Sequence, residues 1–260
     1  MKVTYYGHSC FSVLVGNKSL LFDPFITGNE IAKSVDVKRI PADYVLISHG
    51  HGDHLADAAD IASRTGATVI SNFEIVTWFG QQGVPKGHPL NHGGGFNFDF
   101  GRVKYVNAIH SSTLPDGSSG GNPGGFVVET LEGSWYYSGD TALTMDMQLI
   151  GQTTRLKFAA LCLGDNFTMG VEDAIKAAEF VRCDEILGAE REFAFVVERC
   201  LSRSLADTDR ALLAQSYKRL SPIYAEFVQG CLTRAIASKG SRKHLNFYLT
   251  HMEETKTQGR

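Results

Sequence analysis

Over the first 188 positions, short apolar runs alternate with amphipathic stretches, and the two kinds of segment have different periods. Runs rich in β-branched and aromatic residues predict strands at 2–6, 10–15, 19–22, 44–47, 68–71, 103–108, 125–129, 134–137, 158–163 and 185–187. Helical spacing predicts helices at 54–64, ended by Gly66, at 73–82, ended by Gly83, and at 171–181. In the last of these, Val171, Ala174, Ile175, Ala178 and Val181 recur on one face. Strands outnumber helices, and tight turns such as Gly16-Asn17 and Glu132-Gly133 join several of them. The pattern therefore predicts a mixed, mainly antiparallel α/β sandwich rather than a doubly wound parallel sheet.

After Gly188 the pattern changes. Segments 193–205, 209–220 and 223–239 read as helices, the last with Ser221 at an N-cap position, Pro222 at N1 and Gly240 just past the end. The chain thus divides into an α/β unit, 1–188, and a helical tail, 189–260. Composition divides at the same place. Residues 1–188 carry 13 Lys+Arg against 20 Asp+Glu and 24 of the 27 glycines, whereas 189–260 carry 12 against 8, so the overall net charge of -3 sums an acidic and a basic segment.

Other features narrow the setting. The first residues, Met1 to His8, show neither an apolar core nor a cleavage site of a secretion signal, and no apolar run approaches the roughly 18 residues of a membrane helix. Five cysteines, widely spaced and without a CxxC pair, fit reduced, buried thiols. A cytoplasmic protein with no membrane partner is expected. The tail's Arg234, Lys239, Arg242 and Lys243 could serve a partner, a homo-oligomer or a weak nucleic-acid contact. The favoured reading is a helical cap with a solvated basic face, since charge runs this short rarely signify more and the acidic first segment opposes phosphate binding.

The chemistry concentrates at Ser48-His49-Gly50-His51-Gly52-Asp53-His54, where an apolar strand runs into three histidines and an aspartate spaced by glycines. Imidazoles and a carboxylate crowded at a strand end need a partner, and a borderline divalent metal supplies one. His49 and His51, alternate residues on an extended segment, point the same way and can share one ion. Asp53 and His54, opening the next helix, can reach a second. His110 and Asp140 each follow a predicted strand, which places them at a sheet's rim. Ser9, in Gly7-His8-Ser9-Cys10-Phe11, is not in a GxSxG elbow, so a serine nucleophile is a poor rival.

His49 to His54 matches an HxHxDH motif, and residues 2–188 resemble the metallo-β-lactamase superfamily, in the branch of metal-dependent hydrolases related to ascorbate-phosphate lactonases. Supporting segments follow in order: Gly7-His8-Ser9-Cys10-Phe11, Leu21-Phe22-Asp23-Pro24-Phe25, Ala108-Ile109-His110-Ser111-Ser112, Gly121-Asn122-Pro123-Gly124-Gly125-Phe126, Tyr137-Ser138-Gly139-Asp140-Thr141 and Gly164-Asp165-Asn166-Phe167-Thr168-Met169-Gly170. The resemblance implies an αββα sandwich with a binuclear metal site at one edge. It implies that His49, His51 and His110 hold one ion, Asp53 and His54 the other, and that Asp140 bridges them. Two Zn or Mn ions roughly 3.5–4 Å apart would activate a bound water against an ester-like bond, lactone or phosphodiester, in a small-molecule substrate. Asp53 would be the catalytic carboxylate that orients this water and passes its proton on. His8 is a candidate substrate contact, and Asp23 a candidate partner for a ligand histidine.

In that branch a histidine follows the strand corresponding to Glu185-Ile186-Leu187-Gly188 and completes the second ion's site, whereas here Ala189-Glu190-Arg191 follows. Three readings stand: Glu190 substitutes and favours Mn²⁺, the second site is incomplete, or the 3′ end of the coding sequence is altered. The second leads to an alternative function, a non-catalytic metal-binding or interaction protein descended from such a hydrolase. The Gly/Ser-rich loop 111–125 reads as a flap over the site or as a long connection. Gly93-Gly94-Gly95, lacking a following Lys-Ser/Thr, reads as a turn.

Overall fold

A computed structural model describes residues 1–189 and 196–198. Strands β1 (Lys2–Gly7), β2 (Cys10–Val15) and β3 (Lys18–Phe22) form an antiparallel meander, its second turn made at Gly16 with φ +56°. Strands β4 (Tyr44–Leu46), β5 (Thr68–Asn72) and β6 (Gly87–Leu90) then add in parallel, giving one sheet in sequential order. The second sheet begins as the antiparallel strands β7 (Gly95–Phe98), β8 (Gly101–Asn107), β9 (Gly124–Thr130) and β10 (Gly133–Tyr137). It continues in parallel through β11 (Leu156–Cys162) and β12 (Glu185–Ala189), and β13 (Val196–Glu198) closes it antiparallel. Antiparallel ladders hold a bare majority.

Between the sheets lies an aromatic core in which Phe11 stacks on Phe22 with centroids 4.5 Å apart, opposite Phe126, Trp135 and Tyr137. Burying each such ring is worth about 1.5–3 kcal/mol, which fixes the rims of the two sheets beside one another. Helices α1 (Gly52–Leu55), α2 (Ala58–Thr65) and α3 (Phe73–Gln81) lie on the first sheet's outer face, where Leu55, Ile61, Ile75 and Phe79 form a separate core with Leu21, Val45, Ile47 and Val69. Helices α4 (Asp146–Thr153) and α5 (Val171–Phe180) cover the second, through Met147, Ile150, Ala174 and Ala177. The four layers are the expected αββα sandwich.

Several expectations need correction. The helix expected over 54–64 is broken at Asp57, whose carboxylate is drawn to the 23–27 loop. It accepts the backbone N–H of Ile26 at 2.6 Å and of Thr27 at 2.9 Å and the Thr27 hydroxyl, while its own N–H bonds the Pro24 carbonyl. Those bonds satisfy the loop at the expense of one helical turn. Within the helix expected over 193–205, Val196–Glu198 is instead a strand in register with Leu187, Ile186 and Glu185. Adjacent β-branched valines suit a ladder beside the otherwise open edge of β12. The rest of that segment, the expected helices at 209–220 and 223–239 and Glu190 lie outside the described residues. Strands β6 and β7 and helix α4 were not foreseen: Pro89 obscures the first as an edge strand, glycine the second, and α4 buries only Met147 and Ile150. The chain does turn at His92-Gly93, and Gly95 begins β7.

The rims meet at Gly139, with φ +58°, where a Cβ would lie 2.8 Å from Ser48 Cβ. A Gly139→Ala variant combines a left-handed backbone with that clash, so chemical denaturation should show a loss of about 1–3 kcal/mol. Gly16→Ala, also left-handed but in open space, should lose less. Equal losses would show that the contact with Ser48 does not constrain the rim.

Candidate metal centre

The centre is built outward from Asp23, which follows β3 with φ +38° and is completely buried. Its Oδ1 accepts the Ser48 N–H at 2.8 Å. Its Oδ2 accepts the Ser48 hydroxyl at 2.5 Å, the Tyr137 hydroxyl at 2.6 Å and His54 Nδ1 at 2.8 Å. A buried carboxylate that accepts four hydrogen bonds is an anion compensated in place, and it dictates the chemistry around it. Because the Ser48 hydroxyl donates to Asp23, it must accept from His49 Nδ1, 2.9 Å away. His49 therefore carries its proton on Nδ1 and turns the Nε2 lone pair inward. His54, donating from Nδ1, likewise turns Nε2 inward.

The six expected residues converge. β4 delivers His49 and the following turn delivers His51, whose Nδ1 lies 3.0 Å from His49 Nε2. His51 Nε2 lies 3.1 Å from the Ser111 hydroxyl. His110 comes from the loop after β8 and Asp140 from the loop after β10. Asp140 Oδ2 sits 3.4 Å from His54 Nε2, 3.6 Å from His110 Nε2 and 4.0 Å from His49 Nε2. His49, His51 and His110 present donors within 4.8 Å of one another, and His8, Asp53 and His54 form a second such group. Asp23 with His49 and His54 is a third, but its oxygens are committed to Ser48, Tyr137 and His54.

Protonation follows from this crowding. Burial, then neighbouring His54, pushes His49 well below the ordinary imidazole range; burial and His110 lower the half-buried His51. Burial also opposes charge on His54, yet the carboxylates of Asp140 and Asp23 outweigh it and hold that ring protonated well above the usual range. The neighbouring His8 imidazole, its Nε2 3.2 Å from Asp53 Oδ2, holds the Asp53 carboxyl well below the usual carboxylate range. His54 Nε2 is buried without a well-formed hydrogen bond, facing Asp140. Three inward imidazole nitrogens around one carboxylate oxygen are a donor set fitted to a divalent cation. The ligand set and its outer partners are thus linked by hydrogen bonds, as such sites require.

Ser48, Ser111 and Tyr137 belong to the site although the residue pattern did not single them out. For Ser48 the signal was its position beside His49. The loop 111–125 is held down by Gly50 N–H to the Ser112 hydroxyl at 3.0 Å, Asn72 Nδ2 to the Gly120 carbonyl at 2.6 Å and Trp78 Nε1 to Asp116 at 2.7 Å.

An αββα sandwich with a His/Asp cluster on the shared rim of its sheets defines a class of metal-dependent hydrolases. Residues 2–188 match the family described as "Beta-lactamase superfamily domain", and the chain belongs to the metallo-β-lactamase superfamily. It is 54% identical over 188 residues to a UPF0173 metal-dependent hydrolase of Flavobacterium johnsoniae and 51% identical to one of Methylacidiphilum infernorum; each alignment covers 72% of this chain and 83% of the relative. Igni18, a metallo hydrolase of Ignicoccus hospitalis, superposes with a TM-score of 0.66 at 33% identity over 73% of this chain and 82% of Igni18. The chain is a metal-dependent hydrolase of this superfamily. Among the described residues no helix is long and apolar enough to cross a membrane.

Asp23→Ala strands His54, Ser48 and Tyr137 around a void. It should lower stability by about 3–5 kcal/mol in a denaturant titration and weaken metal binding by about 10–100-fold in a chelator competition; a stable variant with unchanged affinity would refute the role given to Asp23. Because a cation at His54 Nε2 must displace a proton held there above the usual imidazole range, apparent metal affinity should fall as pH falls through neutrality, with proton release on binding. Calorimetry in buffers of different ionisation enthalpy reads that release directly, and none at pH 7 would contradict the assignment.

Proposed function

We propose that this chain hydrolyses an ester-like bond, a lactone or a phosphodiester, in a small-molecule substrate. The observation that carries the proposal is the convergence of His49, His54 and His110 nitrogens on one oxygen of Asp140, with an ionised carboxylate, Asp53, on the open side. His49, His51 and His110 would hold one divalent ion, Asp53 and His54 another, with Asp140 between them; imidazole and carboxylate donors suit Zn²⁺ or Mn²⁺. Such ions supply Lewis acidity, easing the ionisation of water and polarising the scissile group.

The chain's own residues do the rest. The Ser48–Asp23 relay keeps His49 in one tautomer, so its inward lone pair does not reorient between turnovers. Asp53 is about half exposed at its side chain, unlike buried His49 and His54, so it can exchange protons with solvent. Its depressed pKa keeps it ionised, so it can accept a hydrogen bond that orients the attacking water, although the same depression makes it a weaker base. Among the described residues, Cys10, Cys162 and Cys183 are buried thiols, which suits a reducing, cytoplasmic setting.

Protein reconstituted with Zn²⁺ or Mn²⁺ should hydrolyse a chromogenic phosphodiester or a lactone and lose that activity on chelation. Asp53→Ala and His110→Ala should each reduce kcat/KM by about 10²-fold or more. Reconstituted wild type that turns over neither substrate class would favour the alternative, a metal-binding protein without catalysis.

A further inference from the structure

The first cation position has three histidines, whereas the second, as expected from the motif, has Asp53 and His54 with the shared Asp140. We propose that His8 is a ligand of this second position, supplied by the turn between β1 and β2. The inference rests on the two-cation reading above and deepens it.

The geometry is specific. His8, Asp53 and His54 each offer one donor atom, and these lie within 4.8 Å of one another. His8 Nε2 is 3.2 Å from Asp53 Oδ2, and its ring lies edge-on to His54 with centroids 5.3 Å apart. The backbone holds it there. His8 has φ +54°, a left-handed conformation unusual outside glycine, and its carbonyl accepts the Tyr5 hydroxyl at 2.7 Å. Phe25 packs edge-on against the imidazole at 5.6 Å. A strained, anchored histidine aimed at a carboxylate and a second histidine is what a preorganised ligand set requires.

The alternative role, a simple His8–Asp53 contact, is also what this pair would form with no cation between its members. What distinguishes a ligand is the third donor. His54 Nε2 is buried and already turned inward by the Asp23 hydrogen bond at its Nδ1, and an ion pair between His8 and Asp53 makes no use of it. His8 also bears on the charge of the site. A neutral imidazole adds no negative charge, so with His8 as ligand the second position has no added preference for Mn²⁺ over Zn²⁺, whereas Glu190 as ligand would create one.

The test uses the full chain, stripped of metal and reconstituted with Zn²⁺ and, separately, Co²⁺. Metal per chain is measured by elemental analysis, affinities by chelator competition and ligand environment by Co²⁺ d–d absorption. Wild type should hold two ions. His8→Asn, which tolerates the left-handed backbone, should hold one, with the second ion's affinity reduced by about 100-fold or more, beyond the loss typical of an outer partner, and with an altered Co²⁺ spectrum. His8→Gly, which also tolerates the left-handed backbone, should cause the same loss, so the expectation stands on a second variant if His8→Asn folds poorly; Glu190→Gln should keep two ions. Retention of two ions with unchanged affinity in His8→Asn, or loss of the second ion in Glu190→Gln alone, overturns the proposal. Wild type with one ion or none overturns both it and the two-cation reading. Two ions without hydrolysis leaves His8 a ligand and removes only the catalytic reading.

Discussion

One buried carboxylate governs this protein. Asp23 joins the end of β3 to the motif turn through Ser48 and His54 and to the second sheet through the Tyr137 hydroxyl. Leaving such a charge unpaired in the interior would cost several kcal/mol, so the three donors around Oδ2 are constrained to stay together. The Ser48 carbonyl adds to the bond between sheets, accepting the Tyr105 hydroxyl at 2.8 Å and the Gly124 N–H at 3.1 Å. The contact that docks the sheets at this rim is therefore the same one that fixes the tautomer of His49 and the orientation of His54. Stability and site geometry share one network, and neither can drift without the other.

The network also grades the site from inside to outside. His49 and His54 are fully buried, Asp140 is nearly so, and Asp53 faces solvent. In the interior, protonation is dictated by fixed neighbours: His49 is held neutral with its Nε2 lone pair directed inward, while the carboxylates of Asp140 and Asp23 hold the proton on His54. At the mouth, the half-exposed Asp53 stays ionised and open to solvent. Neighbouring charges as well as burial set that difference.

How much of this was legible in sequence depended on distance along the chain. His49, His51, Asp53 and His54 stand within six residues, so their spacing could be read directly. Asp23 was suspected, but its reach to Tyr137, 114 residues away, exists only once the sheets pack. The same holds for the helix broken at Asp57: its apolar period is continuous, and the reason for the break lies in the loop at Ile26 and Thr27. Strands β6 and β7 were hidden because glycine and proline occupy edge positions where pairing, not propensity, makes the strand. Val196–Glu198 showed the converse, a helical reading overridden by an available strand edge.

The change of composition after Gly188 acquires a structural meaning from where the donors lie. All described donors of the centre come from the segment ending at Asp140, carried by the turns and loops that follow β1, β3, β4, β8 and β10. β12 serves a different purpose: Leu187 and Ala189 enter the core between the sheets, and the Ala189 carbonyl accepts the Leu163 N–H. It is thus a packing element on the side of the sandwich that the family match still covers. The transition to an unmatched, basic sequence falls after the sheet's last parallel strand and downstream of these donors. Divergence there leaves intact the hydrogen bonds that orient His49 and His54, because none of the partners involved, Asp23, Ser48 and Tyr137, lies beyond it.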